Sequence, residues 1–236
     1  MSDTLQLGLP LIAPAQAQKH VTVNEAFSRL DGLVQLRLES RSLAIPPALP
    51  VDGLSYAVPA GAVNAWSGQA GTVAIGSGGG WIFALPRAGW RGLIRDEGVI
   101  ALHDGTDWRG GMMSLSPFGA GLSVGLREID HVLAAGSVSN TVSVIPSHAM
   151  LIGVTARVVT PITGTLASWQ LGDSIDPVRF GSGLGLGAGS WARGMLGSPM
   201  TYYAPEALVL SATGGDFAGG TVRIAVHFLE IALPSA

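Results

Sequence analysis

The chain has 236 residues, of which 12% are charged, 47% apolar and 34 glycine, with a net charge of −3. This excludes a disordered chain, which needs low hydrophobicity and high charge, and the lack of a concentrated basic stretch argues against a nucleic-acid partner. Cysteine is absent, so disulfides and thiolate metal centres are excluded.

Residues 1–21 read as an extended arm, because Pro10 and Pro14 disfavour helix. Its apolar Leu5, Leu7, Leu9, Leu11 and Ile12 suit an arm that binds along a neighbouring subunit. Thr22 and Glu25 then stand at capping-box spacing. Val23, Ala26, Phe27, Leu30 and Leu33 follow at helical spacing, and Asp31-Gly32 is expected to stop the helix. From there the period changes to two, predicting a half-buried strand over 34–38.

After a loop holding Pro46, Pro47 and Pro50, short strands are expected near 55–58, 72–75, 80–85, 92–95, 99–103 and 106–109. Turn signals such as Asp52-Gly53, Gly78-Gly79-Gly80 and Asp104-Gly105 separate them. Trp66, Trp81, Trp90 and Trp108 recur beside these turns and are read as the core of a small hairpin-built domain rather than as a sugar-stacking platform. Residues 111–125 show little pattern and are read as a connector between a domain at 1–110 and one at 126–236. The second half carries about eight further strand signals. In one of them Ile152, Val154, Ala156 and Val158 face opposite to Thr155 and Arg157. In the last, Val222, Ile224, Val226 and Phe228 alternate with Arg223, Ala225 and His227. The fold class expected is therefore mainly β: an arm, a short helix and a small hairpin-built β domain, then a C-terminal jelly-roll-like β-sandwich.

The stretch through Leu9, Pro10, Ile12, Gln16, Ala17, Gln18, Lys19, His20, Val21, Thr22, Asn24, Glu25, Ala26, Leu30 and Asp31 resembles an N-terminal motif of a phage-like family of alphaproteobacteria. The members compared are head-spike proteins of gene transfer agents and related phage fibre proteins, and the likeness extends to about Trp108. It implies a structural virion protein, a spike base or fibre at the particle surface that helps adsorption to the host cell. Pro10, Gln16, Gln18, Lys19, His20, Asn24 and Glu25 would then serve particle attachment. It also implies a capsid vertex protein, and in some arrangements a second spike protein, as partners. A vertex position favours a homo-pentamer and a tail fibre a trimer. The alternative is a tail-associated receptor-binding protein that recognises capsular polysaccharide. The likeness brings no catalytic motif.

No chemistry emerges from the remaining residues. The five histidines are isolated from one another, none at zinc-ligand spacing. Gly181-Ser182-Gly183-Leu184-Gly185-Leu186-Gly187 lacks the lysine and following helix of a phosphate loop. Asp173 and Asp176 form the nearest carboxylate pair, at a spacing as common in turns or weak calcium sites as in hydrolases. Neither enzyme activity, cofactor nor metal is expected. Trp169, Asp173, Asp176, Arg179, Trp191, Tyr202 and Tyr203 form a candidate set for cell-surface polysaccharide, with flat rings for sugar faces and Asp and Arg for hydroxyls. No basic leader precedes an apolar core and no apolar run reaches about 18 residues, so neither a signal peptide nor membrane insertion is expected. The expected location is the virion surface.

Overall fold

A computed structural model of the chain describes residues 3–12 and 19–234. It is mainly β and divides into two compact units, Met1–Leu115 and Ser116–Ala236.

In the first unit, residues 3–12 turn back on themselves instead of extending. Thr4 and Leu9 are hydrogen-bonded, and Asp3 bridges to Pro10. The helix α1 runs over Lys19–Leu33, so Thr22 and Glu25 lie inside it and form no capping box. Nothing between Lys19 and Thr22 opposes helix, so it begins earlier than the capping signal suggests. It also passes through Asp31-Gly32 and is closed by Gln35 in the left-handed region (φ 54°), with the Val34 N–H donating to Leu30 O at 2.8 Å.

Asp31 and Gly32 instead dock the helix. A Cβ on Gly32 would lie 2.4 Å from Ile75 Cγ2, so only glycine lets α1 approach this buried side chain. The buried Asp31 carboxylate accepts the Gln6 N–H at 3.0 Å and the Leu7 N–H at 2.6 Å, while Ser55 Oγ donates to Gly32 O at 3.0 Å. The arm is thus fastened to the chain's own helix.

The strands that follow are β1 (Arg37–Leu38), β2 (Ser55–Ala57), β3 (Val73–Ser77), β4 (Gly80–Ala84), β5 (Arg91–Ile94), β6 (Val99–His103), β7 (Trp108–Gly110) and β8 (Met112–Leu115), with a 3₁₀ turn at Asn64–Trp66. The first seven form one sheet in the order β4-β3-β2-β1-β5-β6-β7. The two-residue β1 pairs parallel with both β2 and β5, joining two antiparallel meanders. Leu38, Ile75 and Ile94 are fully buried around Trp108. Trp66 is also fully buried, with its ring 5.1 Å from that of Trp81 and 5.3 Å from that of Tyr56.

The second unit contains β9 (Gly121–Val132), β10 (Val138–Ile145), β11 (Ala149–Gly164), β12 (Ser168–Gly172), β13 (Gly181–Leu184), β14 (Trp191–Tyr202), β15 (Glu206–Thr213) and β16 (Phe217–Ala232). One sheet has the order β10-β15-β12-β13, and the other runs β14-β11-β16-β9. Every pairing is antiparallel. Counting this unit's strands from one to eight gives sheets 2-7-4-5 and 6-3-8-1, the strand order of a jelly roll.

Most of the segment expected as a connector, 111–125, is strand: β8 and the start of β9. Its Gly-rich sequence hides this, but β16 reaches Ala232 and supplies backbone partners as far as Gly121. The first four residues of the glycine-rich run 181–187 form the edge strand β13. Inside the sandwich, Val154, Val158, Ile224 and Val226 from one sheet meet Trp169, Leu171, Leu208 and Leu210 from the other. Gly125 makes room for Phe228, whose ring a Cβ there would meet at 2.0 Å.

Gly32→Ala should lower stability by about 1–3 kcal/mol through overpacking against Ile75, measured by denaturant unfolding. Asp31→Ala should leave the sheet folded but expose residues 3–12 to hydrogen exchange and proteolysis.

Candidate functional site

The sequence-predicted polysaccharide set does not come together as one site. Trp169, on β12, is fully buried, and its indole N–H donates to Gly185 O at 2.9 Å. It is a core residue and cannot stack on a sugar.

Asp173, Arg179 and Tyr202 do come together, but as a buried support. Asp173 is 2% exposed. Its carboxylate accepts the Tyr202 hydroxyl at 2.5 Å and the backbone N–H groups of Asp176 at 2.8 Å and Ile175 at 3.1 Å. Arg179 Nε lies 2.6 Å away as an ion pair without a straight hydrogen bond. Burial pushes the Asp173 carboxyl up, yet the Tyr202 hydroxyl, the two N–H groups and Arg179 together outweigh it and hold the acid below its usual range. The Tyr202 phenol is pushed up by burial and by the facing carboxylate. Asp176 accepts the Val178 N–H at 3.1 Å, so the 172–177 stretch is a hydrogen-bonded turn. Among the described residues no group of three or more His, Cys, Asp or Glu side chains is placed to hold a metal ion.

Trp191 and Tyr203 are exposed, at 61% and 77%, but stand far apart. Trp191 lies opposite Arg157 and Tyr202 opposite Ala149, eight residues along β11, which is on the order of 25 Å at the rise of a strand. Tyr203 meets the His148 ring edge-on at 6.1 Å.

What surrounds Trp191 was not anticipated. The register sets Trp191, Arg157, Arg223 and Asp130 in one row across four strands, with Arg193, Thr155, Ala225 and Glu128 in the next. These residues line a shallow depression of about 280 Å³ on the outward sheet face, Asp130 lying just beyond it. Arg223 forks onto Asp130, Nε to Oδ1 and Nη2 to Oδ2 both at 2.7 Å. The Arg193 guanidinium sits 5.8 Å from the Trp191 ring centroid, within cation–π range. The alternation in the sequence already points Arg157 and Arg223 outward, but only the pairing register aligns them with Trp191.

Of the motif residues, Asn24 clamps the arm. Its Oδ1 accepts the Ile12 N–H at 2.9 Å and its Nδ2 donates to Ile12 O at 3.0 Å. Glu25 lies 3.7 Å from Arg29 one turn on. Pro10 carries the bridge to Asp3. Lys19 and His20 open α1, and Gln16 and Gln18 fall outside the described residues.

A family model described as "Protein of unknown function (DUF2793)" matches residues 23–109, which is less than half of the chain. No curated protein matches. Among solved structures, a chain titled "Cyanophage Pam1 capsid asymmetric unit" is similar over 48% of this chain and 87% of its own length, at 22% identity and a TM-score of 0.30. A score of that size does not define a shared fold.

Asp173→Ala should cost about 3–5 kcal/mol, because it strands the Arg179 charge; Tyr202→Phe should cost less. Because the Asp173 pKa is lowered by folding, its contribution is present above the unfolded value of about 3.9 and lost as pH falls through the folded value. Thermal melts between pH 7 and 2 should show the wild-type advantage over Asp173→Ala shrinking on the acid side.

Proposed function

We propose that this chain is a structural protein of a phage-like particle surface, a component of a head spike, that assists adsorption to the host cell. The observation that carries this reading is the arm-and-helix element that holds the motif residues. Asn24 and Asp31 fasten residues 3–12 to α1, yet Ile12, Val21 and Leu30 remain exposed at 47%, 56% and 48%. A lone soluble domain gains nothing from ordering an apolar face and leaving it in water, whereas a subunit that docks through it does. The resemblance of this stretch to spike proteins of phage-like particles supplies the kind of neighbour. A jelly roll beyond it is an architecture found in both capsid and lectin domains, which suits a surface role without deciding between scaffold and receptor binder. The partners in this reading are other copies of the chain, with a pentamer favoured at a vertex, and a capsid vertex protein.

Deleting residues 1–25 would be a poor test, because it removes about half of α1, with the Asn24 clamp, as well as the arm. The double variant Val21→Ser with Leu30→Ser changes only exposed positions. It should melt like wild type yet fail to copurify with particles from a producing strain. Incorporation at the wild-type level would overturn the reading. If the chain is instead a tail-associated receptor binder, labelled protein will sit at tail tips.

A further inference from the structure

We infer that the outward face of the β14-β11-β16-β9 sheet carries a binding site for an anionic saccharide, centred on Trp191, Arg157 and Arg193. This rests on the proposed adsorption role and replaces the carbohydrate set expected from the sequence.

Three observations meet at this place. First, Trp191 is an exposed indole, and Arg193 extends over it. Exposed indole surface gives a pyranose ring an apolar, polarisable platform. Second, two like charges face each other: Arg157 is directly opposite Arg223 on the neighbouring strand. Directly opposed like charges destabilise a sheet. Asp130 compensates Arg223 in a two-point fork, with Glu128 4.0 Å away. Arg157 and Arg193 form no ion pair among the described residues, so no carboxylate neutralises the two guanidiniums beside the indole, and the one contact shown for Arg193 is with the Trp191 ring itself. Third, the depression is open and shallow, which suits a chain lying along a surface better than a small molecule enclosed in a pocket.

The chemistry that satisfies all three is a sugar ring carrying a carboxylate or a sulfate. The ring lies on Trp191, and the anionic group accepts hydrogen bonds from Arg157 and Arg193, whose planar forks match oxyanions. Thr155 stands opposite Arg193 and two residues before Arg157 on β11, and its hydroxyl is already bonded to His227 Nε2 at 3.0 Å. The rows Trp191-Arg157-Arg223 and Arg193-Thr155-Ala225 run across the strands, so the saccharide chain is expected to run across the sheet.

The test uses the full chain and three probes: tetragalacturonate, a heparin-derived tetrasaccharide, and neutral cellotetraose. Calorimetry at about 150 mM salt should show binding of at least one anionic probe and little of cellotetraose. Preference for tetragalacturonate identifies a carboxylated glycan, and preference for the heparin fragment a sulfated one; both support the site. Trp191→Ala, and separately Arg157→Gln with Arg193→Gln, should each weaken binding at least tenfold, while Tyr203→Ala should not change it. Equal binding of cellotetraose, or binding that survives both sets of substitutions, overturns the proposal. So does a fall in the mass of the protein by light scattering in Trp191→Ala, which would make this face an interface between copies. Failure here with normal particle incorporation of the same variants refutes the saccharide site alone. Loss of incorporation in the Val21 and Leu30 double variant bears only on attachment.

Discussion

The second unit is built on the antiparallel pairing of β11 with β16, two sixteen-residue strands at the centre of one sheet. Because side chains alternate along a strand, this pairing fixes two surfaces at once. Val154, Val158, Val222, Ile224 and Val226 go into the sandwich, and Thr155, Arg157, Arg223 and His227 go outward. A slip by one residue would exchange them, burying guanidiniums and exposing the core. Burial of the inner set therefore secures the position of the outer set. The face assigned to saccharide is precise because the hydrophobic core behind it has only one acceptable register.

The first unit solves a different problem. Its sheet is two hairpin-built meanders joined by a strand of only two residues, β1, and its helix contributes few side chains to the core. What holds the helix is a close approach at Gly32 and the backbone hydrogen bonds collected by the buried Asp31 carboxylate. The arm is ordered by the same carboxylate and by Asn24. The apolar face left on the arm and helix is therefore presented by a fixed framework, which reduces the ordering cost of docking.

Strand positions were largely legible because they depend on local signals: alternation within 222–228, and glycine turns such as Asp104-Gly105. What could not be read were features set by distant partners. Asp31-Gly32 looks like a helix stop, yet its role is defined by Ile75, Gln6 and Ser55. The 111–125 segment looks patternless because its partner is the far C-terminal strand. Trp169, Asp173, Arg179 and Tyr202 looked like a binding set by residue type, but type does not distinguish a buried carboxylate with four partners from one that faces a ligand. Conversely, Arg157 and Arg223 read as ordinary outward residues on separate strands. Only register turns them, with Trp191, into neighbours.

The most direct test of the central claim, that this is a surface protein of a phage-like particle, is electron cryomicroscopy of native particles carrying a gold-labelled antibody against the second unit. The account predicts label at capsid vertices, with density there that fits a closed ring of this chain. Label absent from purified particles, with the protein remaining in the soluble fraction of the producing cells, would contradict it.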